Sequence, residues 1–277
     1  MSSLFSFLII MTLSSHLLAA ENAKKPAYCI AHRGDSKNHL ENSFSALRSA
    51  YALGADGMEF DLHHTKDDIA ILMHDKKLAR VAKSRPGKTC PLKTKIKNLN
   101  LVDIQNNCLL KNDEEIPLLS DVLKLYGDSN TFLFIEVKDK PSASTLADIK
   151  QFVTYPKKVR IIGLRRKNLK PFKKLRKHDE YWQQTKLFKV AILPIPYFIN
   201  YGFNSYYRTI KWLRLYKKKT KEYGIWTIDK EKQLKKAFLR GFKFLTTNKP
   251  ALCLQVKQSY RRGEYDKEDP FFKLENL

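Results

Sequence analysis

Short apolar runs alternate with amphipathic stretches along most of the chain, and this alternation sets the first expectation. Residues 27–31, Ala-Tyr-Cys-Ile-Ala, form a continuous apolar run, the pattern of a parallel strand buried on both faces. A helical period follows over 42–53, where Phe44, Leu47, Ala50 and Tyr51 recur on one face and Gly54 supplies a stop. The next strand reads from Gly57 to Leu62 and completes a βαβ unit. Further strands are expected over 69–73, 131–138, 159–163, 224–228 and 242–245, and helices over 142–152, 169–177, 209–222 and 231–239. Between 187 and 207, Pro194, Pro196 and many aromatics predict an irregular loop around one short strand. Residues 76–116 have weak periodicity and exceed an ordinary βα connection, so they read as an excursion from the main fold.

Two architectures accommodate such alternation, an open doubly wound sheet and a closed (β/α)8 barrel. Polar residues choose between them. His32 follows the first strand, Glu59 and Asp61 lie on the second, and Glu136 and Lys138 end the strand at 131–138. A barrel brings those strand ends together on one face, so the expected fold is a single-domain α/β (β/α)8 TIM barrel. The length of 277 residues and the 43% hydrophobic content suit one large core.

The strand-end residues carry the chemistry. Glu59 and Asp61 are two apart on a strand and so point to the same side. Buried side by side, two carboxylates repel unless a cation or protons neutralise them. One divalent metal ion, Mg²⁺ or Ca²⁺, would relieve the repulsion, with Glu136 as the third oxygen ligand. His32 and His74 are candidate catalytic groups, an acid and a base, because only histidine has an unperturbed pKa near neutrality. His39, His63, His64 and His178 read as hydrogen-bonded structural residues, although His63 and His64 follow the metal strand closely enough to support it. Arg33 and Lys138 add fixed positive charge suited to binding phosphate.

Net charge and cysteines extend the picture. The formal charge is +24, with dense Lys/Arg usage over 157–177 and 208–221. Solvated helix faces, attraction to anionic lipid head groups and attraction to a phosphate-bearing substrate all fit such runs. No nucleic-acid recognition motif is present, so no nucleic acid is expected, and no obligate protein partner is evident. Residues 1–20 contain no charged side chain and end in an apolar stretch, the pattern of a signal peptide, with an uncleaved membrane anchor as the alternative. A periplasmic or secreted location follows, with the mature domain over 21–277. In such a compartment Cys90 and Cys108 are the more plausible disulfide, while Cys29 reads as a small buried hydrophobe.

Several ordered motifs now coincide: His32-Arg33-Gly34, Glu41-Asn42-Ser43, Gly54 through Asp61, His74-Asp75, Ile116 through Leu119, Glu136-Val137-Lys138, Trp226-Thr227 and Gly241 through Pro250. Together they resemble the glycerophosphodiester phosphodiesterase family. The resemblance implies a barrel of the phospholipase C-like phosphodiesterase superfamily, with 76–116 as a small inserted subdomain after the second strand. It implies metal ligands at Glu59, Asp61 and Glu136, acid/base roles for His32 and His74, and phosphate contacts from Arg33 and Lys138. Glu41, Asn42 and Trp226 take supporting positions. Three departures stand out: Asn248 where the family usually has Asp, Leu164-Arg165 where Ser-Phe is common, and Asp68 in place of a turn glycine. The implied reaction is metal-dependent hydrolysis of a glycerophosphodiester to sn-glycerol 3-phosphate and an alcohol. A lipid-directed relative, acting like a lysophospholipase D or sphingomyelinase D, is the second reading, and peripheral membrane contact would accompany it. An inactive barrel that binds anionic membrane surfaces is the third.

Overall fold

The computed structural model describes residues 27–191, 202–206 and 222–264. The stretch 1–20 expected to be a leader, the basic run at 208–221 with nearly all of its expected helix, and most of the aromatic segment before it lie outside the described residues.

In chain order the elements are β1 (Tyr28–His32), α1 (Phe44–Ala52), β2 (Gly57–His64), β3 (Ala70–Leu72), β4 (Ala82–Ser84), α2 (Leu101–Asn107), β5 (Cys108–Leu110) and α3 (Leu119–Tyr126). The chain continues with β6 (Phe132–Val137), α4 (Ala143–Phe152), β7 (Val159–Gly163), α5 (Arg166–Leu175), α6 (Glu180–Gln184) and β8 (Lys186–Ala191). It ends with β9 (Gly202–Tyr206), β10 (Tyr223–Trp226), α7 (Glu231–Leu239), β11 (Phe244–Thr247) and α8 (Pro250–Arg261).

Eight strands, β1, β2 and β6 through β11, pair in parallel around a ring that closes through β11 with β1 and β1 with β2. This is the closed (β/α)8 barrel. The strand expected at 69–73 is β3, which runs antiparallel to β2 and stands outside the ring. One expectation needs correction. The segment 187–207, foreseen as a loop around one strand, contributes two barrel strands, β8 and β9, in parallel register.

Strand periodicity sorts the side chains into lumen and wall. On β2, Met58, Phe60 and Leu62 pack outward with Leu47 of α1 and Val122 of α3 in the main core. Their alternates, Gly57, Glu59 and Asp61, therefore face the lumen. On β6 the outward set is Leu133, Ile135 and Val137, and the inward set is Phe132, Phe134 and Glu136. Apolar residues fill the lower lumen: Ile30, Phe132, Phe134, Ile162, Phe188 and Phe244, with the Phe134 and Phe244 rings edge-on at 5.0 Å. Arg160 is buried against three of these rings and reaches Glu222. No side chain fits at Gly57, where a Cβ would stand 2.7 Å from both Ile30 Cδ1 and Phe132 Cβ. Apolar packing at the bottom thus leaves the carboxyl ends of the strands as the polar mouth.

Residues 76–116 contribute most of a separate core, in which Leu78, Val81, Ile96, Ile104 and Leu110 pack on Ile71 and Met73, with β4 and β5 paired antiparallel. Within it Cys90 and Cys108 are disulfide-bonded. Cys29 is not the free hydrophobe expected of it. It is bonded to Cys253 of α8, because the outward face of β1 lies directly beneath the last helix. Asp68 has φ of +63°, the conformation for which glycine is the default and which aspartate tolerates better than most residues.

Candidate active site

The register of three adjacent strands assembles the mouth. His32 is opposite Glu59 across β1 and β2, and Asp61 is opposite Glu136 across β2 and β6. Oxygen atoms of Glu59, Asp61 and Glu136 lie within 4.8 Å of one another. Glu59 is 2% exposed and Asp61 fully buried. The sequence places these carboxylates together through a period of two within β2 and one lateral step to β6.

Two cations are wedged between them. Lys138 Nζ lies 2.8 Å from Asp61 and 2.8 Å from Glu136. Arg33 Nε is 3.0 Å from Asp61, while its Nη1 donates to Glu41 at 3.0 Å. The Arg33 backbone N–H donates to Glu59 at 3.0 Å. Arg33 and Asn42 adopt φ of +56° and +58°, uncommon for residues with a Cβ, and both touch the carboxylates from those turns. Asn42 Nδ2 donates to Asp61 at 2.9 Å, and its Oδ1 accepts from the Asp61 backbone N–H at 3.1 Å.

Charge differentiates the three acids. Burial, then the neighbouring Asp61 and Glu136 carboxylates, push Glu59 well above the usual range. Burial opposes the ionised form of Asp61 too, but Lys138 and Arg33 outweigh it and hold that carboxyl well below its usual range. Glu136 is raised, chiefly by burial, with Lys138 in opposition. A buried acid raised by like charges is the signature of a site short of positive charge. This donor set fits a hard divalent cation, to which Glu59, Asp61 and Glu136 would supply carboxylate oxygens.

A consequence for stability follows. With its folded pKa raised above the usual 4.5, Glu59 contributes stability that is fully present below that value and is lost as pH rises through the folded one. We therefore expect metal-free Glu59→Gln to melt above metal-free wild type at pH 8, by about 3 °C for about 1 kcal/mol. At pH 4 the two should agree. Added Mg²⁺ should stabilise wild type and not the variant. Differential scanning calorimetry checks this, and a lower melting temperature for the variant at pH 8 would contradict it.

The two histidines sit in different environments. His32 Nδ1 is 2.7 Å from Asn248 Oδ1. Asn248 Nδ2 donates to Asp229 at 2.6 Å and its backbone N–H donates to the same carboxylate at 2.8 Å, so its Oδ1 must face His32. His32 therefore carries its proton on Nδ1 and presents a bare Nε2, 3.9 Å from Glu59. Burial, reinforced by Arg33, lowers its pKa to about 4. His74 is half-exposed, with Nδ1 2.7 Å from Asp75. Arg80 bridges Asp75 to Glu41, and Glu41 in turn holds Arg33, which ties both sides of the mouth into one ion network. The Arg80 hydrogen bond, more than His74, pulls Asp75 down to about 2.

His63 and His64 are clasped by Asp139, and His64 Nε2 also meets Thr145 at 2.7 Å. His63 additionally lines the cleft beside Glu136. Trp226 ends β10 and packs against the luminal aromatic cluster. Residue chemistry alone did not single out Asp229, Arg80, Ser36 or Asp139. Asp229 carried a usable signal, a carboxylate shortly after a strand, whereas Arg80 lies in the weakly periodic excursion and gave none.

Comparisons with known proteins agree with this geometry. The sequence profile of the Glycerophosphoryl diester phosphodiesterase family matches residues 32–193. The chain is 36% identical over 132 residues to a glycerophosphodiester phosphodiesterase 1 from Bos taurus, covering 46% of this chain and 39% of that one. It is 30% identical over 156 residues to a lysophospholipase D from Homo sapiens, covering 50% of this chain and 49% of that one. The matched region thus spans less than half the length of these two relatives. An Oleispira antarctica phosphodiesterase, solved in complex with the product sn-glycerol-3-phosphate, superposes with a TM-score of 0.67 at 17% identity, covering 84% of this chain and 98% of that one. Likeness at that identity concerns the fold.

Proposed function

Since the chain belongs to the glycerophosphoryl diester phosphodiesterase family, we propose that it hydrolyses glycerophosphodiesters to sn-glycerol 3-phosphate and an alcohol, with one bound divalent ion. The observation that carries the proposal is the convergence of His32, Arg33, Glu59, Asp61, Glu136 and Lys138 on one end of a closed barrel. A divalent ion held by Glu59, Asp61 and Glu136 would supply Lewis-acid stabilisation of the charge on a phosphoryl group.

The protein's own groups supply the rest. Arg33 and Lys138 face the phosphate oxygens with fixed positive charge. His32, neutral and with Nε2 free, takes the proton from the attacking 2-hydroxyl of the substrate glycerol. Its oxygen forms the new P–O bond while the bond to the alcohol breaks, leaving a cyclic phosphate. His74, its Nδ1 held 2.7 Å from Asp75, protonates the departing alkoxide through Nε2. Water then opens the ring, with the two histidines exchanging roles. Asp75 orients the His74 ring and Asn248, itself held by Asp229, orients that of His32 without adding negative charge beside Glu59.

Export to the periplasm or beyond is part of the reading. All four cysteines are bonded in pairs, which suits an oxidising compartment, and the uncharged leader supplies a route. A second reading, cleavage of intact lysolipids, draws support from the similarity to the lysophospholipase D. One assay distinguishes them. Purified protein with Mg²⁺ or Ca²⁺ is given glycerophosphoinositol, glycerophosphoglycerol and lysophosphatidylinositol, and products are identified by ³¹P NMR. The first reading expects sn-glycerol 3-phosphate from the deacylated diesters and turnover of the lysolipid at least about tenfold slower. Faster cleavage of the lysolipid would replace it with the second, and turnover of none would leave a barrel that only binds.

A further inference from the structure

A cleft of about 510 Å³ opens beside the carboxylate trio, bordered by His74, Glu136 and Lys138. Its remaining charged wall is almost all of one sign: Lys76, Lys95, Lys97, Lys140, Arg165 and Lys167. These six come from four separate places, namely the loop after β3, the residues around the turn Ile96–Asn98, the loop after β6, and the entry to α5. A run of lysines along one helix is ordinarily a solvated face. Convergence from four segments on one concavity is a different arrangement.

None of the six forms an ion pair or side-chain hydrogen bond among the described residues, whereas both carboxylates of the cleft are occupied. Glu136 is held by Lys138, and Asp139 by His63 and His64. The entry to α5 adds to the imbalance. It has no acidic residue in its first turn, its capping position is Arg165 with no side-chain cap, and Lys167 lies within that turn. The positive end of a helix dipole favours an anion, and here basic side chains stand on it instead. A concave wall of this kind concentrates positive potential on whatever occupies it.

We propose that this cleft receives the alcohol half of the substrate and selects alcohols that carry a phosphate group of their own. The inference rests on the diesterase reading and adds the substrate class to it. Glycerol is neutral, and the phosphodiester to be cleaved bears one charge, faced by Arg33 and Lys138. Six further cations exceed what a neutral alcohol engages and would repel a quaternary ammonium group. A second phosphate satisfies them.

The test compares kcat/KM at low ionic strength for four substrates sharing the glycerophosphoryl half. Their alcohols are choline, myo-inositol, myo-inositol 4-phosphate, and a glycerol already joined to a second glycerophosphate. The two phosphate-bearing alcohols should exceed inositol by about tenfold, and choline should fall below it, the spread narrowing in 0.5 M salt. Whichever phosphate-bearing alcohol leads identifies the group read, a terminal monoester or a second diester, and either result supports the proposal. Lys95→Gln combined with Arg165→Gln should lower kcat/KM for those two substrates about tenfold while inositol stays within about twofold, with an unchanged melting temperature. Equal values across the charge series, or a variant that slows all four alike, would overturn the proposal and leave the diesterase reading standing. Cleavage of none would overturn both.

Discussion

His32→Ala is expected to lower kcat by about 10²- to 10⁴-fold, and His74→Ala by a similar factor, with melting temperatures close to wild type. The geometry gives each ring one free nitrogen at the mouth and one committed to an orienting partner, Asn248 for His32 and Asp75 for His74. Residues that move one proton in sequence fail together, so the double variant should be scarcely slower than the slower single one. Asn248→Leu should slow the enzyme less than His32→Ala, because the imidazole is kept and only its tautomer and tilt are released. The pH profile carries the sign. With His32 lowered to about 4, the base is already unprotonated above that pH, so the acidic limb of kcat/KM should fall near or below 4 rather than near 6.5. Stopped assays over pH 3.5 to 9 measure it. A limb centred at 6.5 that disappears in His32→Ala would show that His32 is not the buried neutral base described above.

Loss of the Cys29–Cys253 bond should cost more stability than any other covalent change. It ties the first barrel strand to α8 across a sequence separation of 224 residues, against 18 for Cys90–Cys108. On loop-entropy grounds the longer closure restricts the unfolded chain more, and removing a native bridge typically costs about 2–5 kcal/mol. We expect Cys29→Ser with Cys253→Ser to lie at the upper end, ~4 kcal/mol, and Cys90→Ser with Cys108→Ser about 2 kcal/mol below it. Catalysis at a permissive temperature should persist in the first pair, because Cys29 faces the wall and not the lumen. Urea unfolding measures both. A loss under about 1 kcal/mol for the first pair would mean that strand pairing of β1 with β2 and β11 closes the barrel unaided.

Much of the site could be read in advance because it obeys local rules. Glu59 and Asp61 share a face through the period of a strand, and Glu136 arrives beside them through parallel pairing. The barrel itself followed from polar residues recurring at strand ends. What escaped detection depends on contacts far apart in sequence. Cys29 looks like any apolar strand residue until α8 brings Cys253 over it. Asp229 and Ser36 reach Asn248 only after β10, β11 and β1 have closed. β8 and β9 were hidden by prolines and aromatics that mask strand alternation between them. The six cations of the cleft are exposed lysines and an arginine in loops and helical turns, each unremarkable alone, and only the fold gathers them.

The most direct test of metal-dependent diester hydrolysis at this mouth is the initial rate of sn-glycerol 3-phosphate release from one glycerophosphodiester, measured before chelation, after it, and after adding back Mg²⁺ or Ca²⁺. The predicted result is release that chelation abolishes and one of the two ions restores in wild type but not in Glu136→Gln. Release that survives complete chelation, or its absence under all three conditions, would contradict the account.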